Sequence, residues 1–215
     1  MRTTEPADDD PPIHLHLVSL GPGCRGPGEA ARPTKHLLQH RMRAIGAAAD
    51  LPAGAALSHV SAACLLGLPI WDEELLRQPV QVTRAGPGRT VRRSHLTVRA
   101  GRLDPDEITA VDGIAVTTVA RTLVDLGRWA TLESTVVCAD AALRENLVSR
   151  ADLDAALARA ARSAGVARAR IALSFADVGS AGVAESRARV ADRWPDPPLP
   201  RSGSDPWAGP DAAPW

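Results

Sequence analysis

The residues whose types and spacing invite a chemical reading are a Ser-His pair, a run of arginines and a few scattered histidines and cysteines. Ser58 and His59 are adjacent, and a serine nucleophile needs a base within hydrogen-bond reach. No recognisable nucleophile motif surrounds them, so the pair is expected to make a local contact at a helix start. His14, His16 and Cys24 are zinc-ligand types, yet a structural zinc site takes four ligands, and their presence reads as incidental. His36 and His40 stand one helical turn apart in HLLQH, without the Glu of a HExxH zinc motif. A solvated or half-buried pair is expected there. The GPG strings at Gly21 and Gly86 are turns, since neither leads into the Gly-x-x-x-x-Gly-Lys of a phosphate loop. No metal and no cofactor is expected.

Arg84, Arg89, Arg92, Arg93 and Arg99 are the candidate nucleic-acid contacts. On adjoining strands joined by a Gly-rich turn, several of them would share one face and could meet phosphates. The plainer reading is a solvated sheet edge, where charges discourage strand-to-strand aggregation. That reading is preferred, because no stacking aromatic lies among them.

Periodicity and caps predict the framework around these residues. Thr34 is placed to cap KHLLQHRMRAIGAAAD, with Leu37, Leu38, Met42 and Ile45 near one face. Ser58 starts a second helix, SHVSAACLLG, whose apolar face is Ala62, Leu65 and Leu66. Gly67 ends it, and Pro69 forbids its continuation. PVQVTRA then alternates Val80 and Val82 with Gln81 and Thr83, the mark of a half-buried strand. After the turn AGPGRT, VRRSHLTVRA is expected to return as its hairpin partner. ITAV and IAVT flank Asp112-Gly113, which favours a type I′ turn because Gly tolerates positive φ.

The remainder reads as helical. Thr117 or Thr118 caps TVARTLVDLGRWA, with Val119, Leu123, Val124 and Leu126 inward. Thr131 opens LESTVVCADAALREN, with Val136, Val137, Ala141 and Leu143 inward. Ser149 and Asp152 have capping-box spacing, Gly165 separates VARARIALSFAD, and a last helix spans Val183 to about Arg193. Arg121 and Asp125, four apart on a helix, are expected to pair, and weakly because of their order. The fold class is therefore α+β: a small, mainly antiparallel sheet packed against a C-terminal group of helices.

Composition bounds what this fold could do. The 215 residues are 45% hydrophobic but only 3% aromatic, with no Tyr, so a core must come from Leu, Val, Ile and Ala. The 25 basic residues balance the 25 acidic ones, which argues against whole-protein attraction to a polyanion but leaves room for a local basic patch. Cys64 and Cys138 sit in apolar runs and read as small core residues. Residues 1–33 hold one short apolar island, Ile13–Leu20, and are expected to be disordered, as are the Pro-rich residues 194–215. Without a signal-peptide pattern or a membrane-length apolar run, the cytoplasm is the expected compartment and no membrane partner is expected.

Three strings carry a resemblance: ALSHVSAACLLGLP (Ala56–Pro69), ITAVDGIAVTTVARTLVDL (Ile108–Leu126) and ADAALRENLVSRADLDAAL (Ala139–Leu157). The chain resembles, from about Ala44 to Arg189, a bacterial AbiEi-like antitoxin or transcriptional-regulator family. Its members often continue into a Vsr-like endonuclease domain of the PD-(D/E)XK kind. The pattern Asp112-Gly113, Thr117, Arg121-Thr122-Leu123, Asp125-Leu126 is its most specific part. Between the tails at 1–33 and 194–215 that composition sets apart, the resemblance implies an AbiEi-like domain at 34–178 and a remnant first nuclease helix at 179–193.

The chain departs from that family at both ends. No two helices stand at helix-turn-helix spacing before Ala44, where the family's winged DNA reader would lie. Glu185 in GVAESRARV matches the acidic residue of the first nuclease helix, but no later Asp and Glu-x-Lys follows, and the only Lys is Lys35. Carboxylates must converge on a divalent ion to activate water, and one cannot. The tail from Trp194 resembles out-of-frame translation of GC-rich DNA. The resemblance thus implies a non-catalytic antitoxin or regulator that binds DNA, a cognate toxin or another protein. The alternative is a truncated, inactive member of the Vsr-like endonucleases. Apolar residues near Val183 and Val190, stripped of the nuclease, are expected to promote self-association, and the oligomeric state is left open.

Overall fold

The computed structural model describes residues 34–193. The two segments expected to be disordered, with His14, His16, Cys24 and the island Ile13–Leu20, lie outside the described residues.

The fold is α+β, with a six-stranded mixed sheet and, among the described residues, eight α-helices. Helix α1 (Lys35–Ala48) starts at Thr34, whose hydroxyl accepts the Leu37 amide at 3.3 Å. The sheet-forming part is β1 (Ala55–Leu57), α2 (His59–Leu65), α3 (Glu73–Arg77), β2 (Val80–Ala85), β3 (Val91–Arg92), β4 (Leu96–Gly101), a 3-10 turn (Pro105–Glu107), β5 (Ile108–Val111) and β6 (Ile114–Thr117). Five helices complete it: α4 (Val119–Trp129), α5 (Leu132–Arg144), α6 (Arg150–Arg159), α7 (Val166–Ser174) and α8 (Val183–Arg193).

The strand order is β3-β4-β2-β1-β6-β5. The β5–β6 hairpin is as expected: Asp112 (φ +51°) and Gly113 (φ +81°) both occupy the left-handed region that a type I′ turn demands. The expected hairpin between PVQVTRA and VRRSHLTVRA does not form. VRRSHLTVRA breaks into β3 and β4 at a tight turn in which the Arg93 amide donates to the Leu96 carbonyl at 2.8 Å. Two reversals, at 86–90 and again at 93–95, restore the original direction, so β4 runs parallel to β2 while β3 pairs antiparallel with β4. Strand β1 and helix α3 escape the sequence reading. Three residues of strand and one and a half turns of helix are too short for a period to show.

Strand register separates two faces. Leu57, Val80, Val82 and Val116 share one face and pack with Ala44 of α1 and Ala62 and Leu65 of α2. Ala56, Gln81, Thr83, Thr97 and Arg99 share the other. Helix α1 also corrects an expectation. Leu38, Met42 and Ile45 are about half exposed, at 47%, 52% and 46%, whereas His40 and Ala44 are fully buried. Residues 37, 40, 44, 47 and 48 form a second stripe at helical spacing. The small Ala44 lets the helix backbone approach the sheet, and the polar His40 is kept because it is bonded there.

The second core joins α2 to the helical group through Val60, Cys64, Leu123, Val124, Leu126, Cys138 and Leu153. Helix α5 is buried on every side from Ser134 to Leu143. Ser149 and Asp152 form both halves of their capping box, with Ser149 N donating to Asp152 Oδ2 at 2.9 Å. Helix α8 packs on α5 and buries Val190, while Val183 is half-buried. The expected exposure therefore fails at Val190, which is buried.

Candidate functional site

The turn from β1 into α2 places His59 at φ +51°, a conformation that costs a side chain with a Cβ about 1–2 kcal/mol. Ser58 occupies the cap position without capping. The Val60 amide, one of the donors a helix start leaves open, is taken instead by Gln81 Oε1 at 3.2 Å. The Ser58 hydroxyl is thereby freed to accept from Thr83 Oγ1 at 2.8 Å and from His59 Nδ1 at 2.9 Å.

His59 Nε2 accepts from Arg99 Nε at 3.3 Å, which fixes the imidazole as the neutral Nδ1–H tautomer. The Arg99 guanidinium also lies 4.6 Å from the centroid of the Trp129 ring, and His59 meets that ring edge-on. Burial pushes the His59 pKa well below its ordinary value, and the charges of Arg99, Arg128 and Arg121 push it further. Ser58, His59, Thr83 and Arg99 are all buried. The nitrogen a general base would use is capped by a cation, and the hydroxyl it would activate is shared between two donors. The arrangement supports a structural polar core better than proton transfer.

A second network continues from it along α4. Asp125 is fully buried, with Oδ2 accepting from Arg121 Nε and Oδ1 from Arg128 Nη1, each at 2.9 Å. Arg121 reaches on to Glu107 Oε2 at 2.8 Å and to the Arg102 carbonyl at 3.1 Å, tying α4 to the 3-10 turn. Burial opposes the charge on Arg121, but Asp125 and Glu107 outweigh it and hold its pKa above the ordinary value. The pair expected to be weak is in fact the centre of a buried network.

His40 forms a third. Its Nδ1–H donates to the Leu76 carbonyl and its Nε2 faces Ser61 Oγ, both at 2.9 Å. Ser61 Oγ in turn accepts the Gln81 amide at 2.9 Å. Burial lowers the His40 pKa, against the bond to Leu76. The pair expected to be solvated or half-buried is so only at His36, which faces Glu73 at 3.0 Å, since His40 is fully buried. Cys64 and Cys138 are buried thiols, and burial pushes Cys64 up to about 12 and Cys138 higher still. Glu185 accepts the Ala181 amide at 2.7 Å, so its carboxylate holds the start of its own helix. Among the described residues no group of three or more His, Cys, Asp and Glu is placed to hold a metal ion.

The five candidate arginines divide. Arg99 points into the core. Arg84 is half-buried and donates to the Pro87 carbonyl of its own loop at 3.2 Å. Arg89, Arg92 and Arg93 remain on the surface, within a segment exposed continuously from Gly86 to His95. No acidic residue occurs between Glu74 and Asp104, so this end of the sheet is basic in a chain of zero net charge. Composition could not show the segregation; alternation within β4 puts Thr97 and Arg99 on one face, but only the β2–β4 register adds Thr83 to it.

Two depressions open on the helical side, one of about 340 Å³ between α6 and α7 and one of about 260 Å³ between α4, α6 and the 3-10 turn. Neither is lined by His59 or Arg99. No helix of the described residues is long and apolar enough to cross a membrane. No protein-family model, curated protein or solved structure matches the chain.

Proposed function

We propose that the protein is a non-catalytic binding protein of the AbiEi-like antitoxin or transcriptional-regulator type, acting in the cytoplasm on DNA or on a protein partner. The observation that carries this reading is the contrast between its interior and its basic edge. Ser58-His59 and His40-Ser61, the pairs whose residue types could move protons, and the Asp125 carboxylate are each tied into a buried packing network. Arg89, Arg92 and Arg93 instead stand at the surface in one continuous stretch. Exposed arginines on a loop and an edge strand suit phosphate oxygens, and phosphate contacts position a protein without reading sequence.

Binding to the DNA upstream of its own gene, with a random duplex as control, tests the proposal across a salt series. Preferential binding that weakens steeply with salt is the expected result. Replacing Arg89, Arg92 and Arg93 with Gln should then flatten the log–log salt slope by roughly 0.9 for each phosphate no longer neutralised. Absence of binding at low salt would end the DNA form of the proposal and leave the protein-partner form.

A further inference from the structure

Helix α8 is held to the protein mainly by polar contacts. Its buried residues are Ser186 and Val190, so a single aliphatic side chain is fully covered in eleven residues. Ser186 Oγ donates to Asp140 Oδ2 at 2.5 Å, and the Arg189 guanidinium donates to the same oxygen and to the Phe175 carbonyl. Arg187 donates to Glu133 Oε1 at 2.5 Å while its guanidinium lies 4.1 Å from the centroid of the Trp71 ring. Arg193 lies 5.7 Å from the centroid of the Phe175 ring.

The surface under α8 is correspondingly built. Asp140 is fully buried on α5, and its second oxygen accepts the Asp177 amide, a group outside α8, at 2.7 Å. Glu133 stands two turns earlier on the same helix, with the Trp71 ring beside it through their shared partner Arg187. One buried carboxylate, one surface carboxylate and one indole face make a receptor for two guanidinium groups spaced two residues apart on a helix. Planar guanidinium groups suit both kinds of partner.

We propose that this face of α5 is a docking site for an arginine-bearing helix, filled in this structure by the chain's own α8, and that α8 leaves and returns as a latch while the core stays folded. Polar docking sets the latch apart from α4, α5 and α7, whose removal would expose the main core. Release would uncover Val190 and the ring faces of Trp71 and Phe175, while the hydrogen bonds that hold the helix converge on Asp140 and Glu133. The residues between the body and the latch include Gly179 and Gly182, where the backbone can turn without side-chain cost.

Hydrogen exchange read by mass spectrometry on the full chain tests this. In Asp140→Asn, the amides of residues 183–193 should exchange roughly a hundredfold faster, as expected for breaking a buried charge pair, while those of α4 keep their protection. Equal acceleration in α4 and α8 would mean that α8 belongs to one cooperative core, and the latch would be refuted. Unchanged exchange in α8 would refute it as well. Arg189→Gln removes an anchor but leaves the receptor intact, which guards against misfolding of the first variant. A synthetic, dye-labelled peptide of residues 179–193 should bind the Arg189→Gln chain in trans, read as a rise in its fluorescence anisotropy, but should not bind the parent chain. Failure of the peptide to bind either chain would overturn the docking-site assignment.

Discussion

Single residues in this protein are legible by type, but their environments are not. Ser58-His59 reads as a local contact, and the 2.9 Å bond between them agrees. Nothing in the string, however, indicates the left-handed backbone of His59 or its distant partners Arg99 and Trp129. The consequence is a pH dependence. An unfolded His59 takes up a proton as pH falls below its ordinary 6.5, whereas the folded one, with its pKa held well below that, does not. The unfolded state binds more protons in this window, so stability is fully present above pH 6.5 and is lost as pH falls toward the folded pKa. His40 acts in the same direction. Urea midpoints at about pH 7.5, 6.5 and 5.5 should fall with pH, by up to about 1.4 kcal/mol per unit for each histidine. His59→Asn keeps a residue that tolerates positive φ and should show a shallower decline. An unchanged slope in this variant would remove His59 from the account. The buried Asp125 belongs to the same scale. Asp125→Ala leaves Arg121 and Arg128 without their carboxylate and should cost about 3–5 kcal/mol in a denaturation midpoint, far more than a surface pair could.

Elements are legible wherever a cap or turn residue announces them. Thr34, Thr118, Thr131 and Ser149 each accept a first-turn amide, as their positions predict, and Asp112-Gly113 makes its turn. The reason is that these interactions are complete within a few residues. The association of elements is different. The parallel pairing of β2 with β4 depends on two reversals that local patterning cannot count, and α1 carries two apolar stripes between which only its neighbours choose. Helices α4 and α7 show the same dependence at Gly127, where an added Cβ would stand 2.7 Å from the Ala169 Cα. Gly127→Ala should therefore destabilise by about 1–3 kcal/mol through overpacking, despite its better intrinsic helix propensity. A stabilised variant in thermal unfolding would show that the two helices can move apart freely.

Over the whole chain charge is balanced in sum, and among the described residues it is unevenly placed. The acid-free stretch around β3 stands at one edge of the sheet, whereas Asp104, Asp106 and Glu107 beside β5 at the other are each paired with an arginine, Arg102, Arg159 and Arg121. Surface charges of this kind contribute little to folding. The triple replacement of Arg89, Arg92 and Arg93 with Gln should shift stability by no more than about 1 kcal/mol while changing salt-dependent binding. A large loss of stability in a urea titration would instead assign these arginines to the fold.

The order of amino acids is enough to settle the class of fold, the sequence of most elements, most of the caps and the β5–β6 hairpin, because local hydrogen bonds and hydrophobic period decide those. It also places the arginine run that the proposed function uses. Folding in three dimensions chooses which arginine of that run turns inward, buries the carboxylates of Asp125 and Asp140, and holds α8 by polar contacts. These outcomes rest on register and on contacts between residues distant in the chain, where one buried charge selects its partner by geometry rather than by spacing.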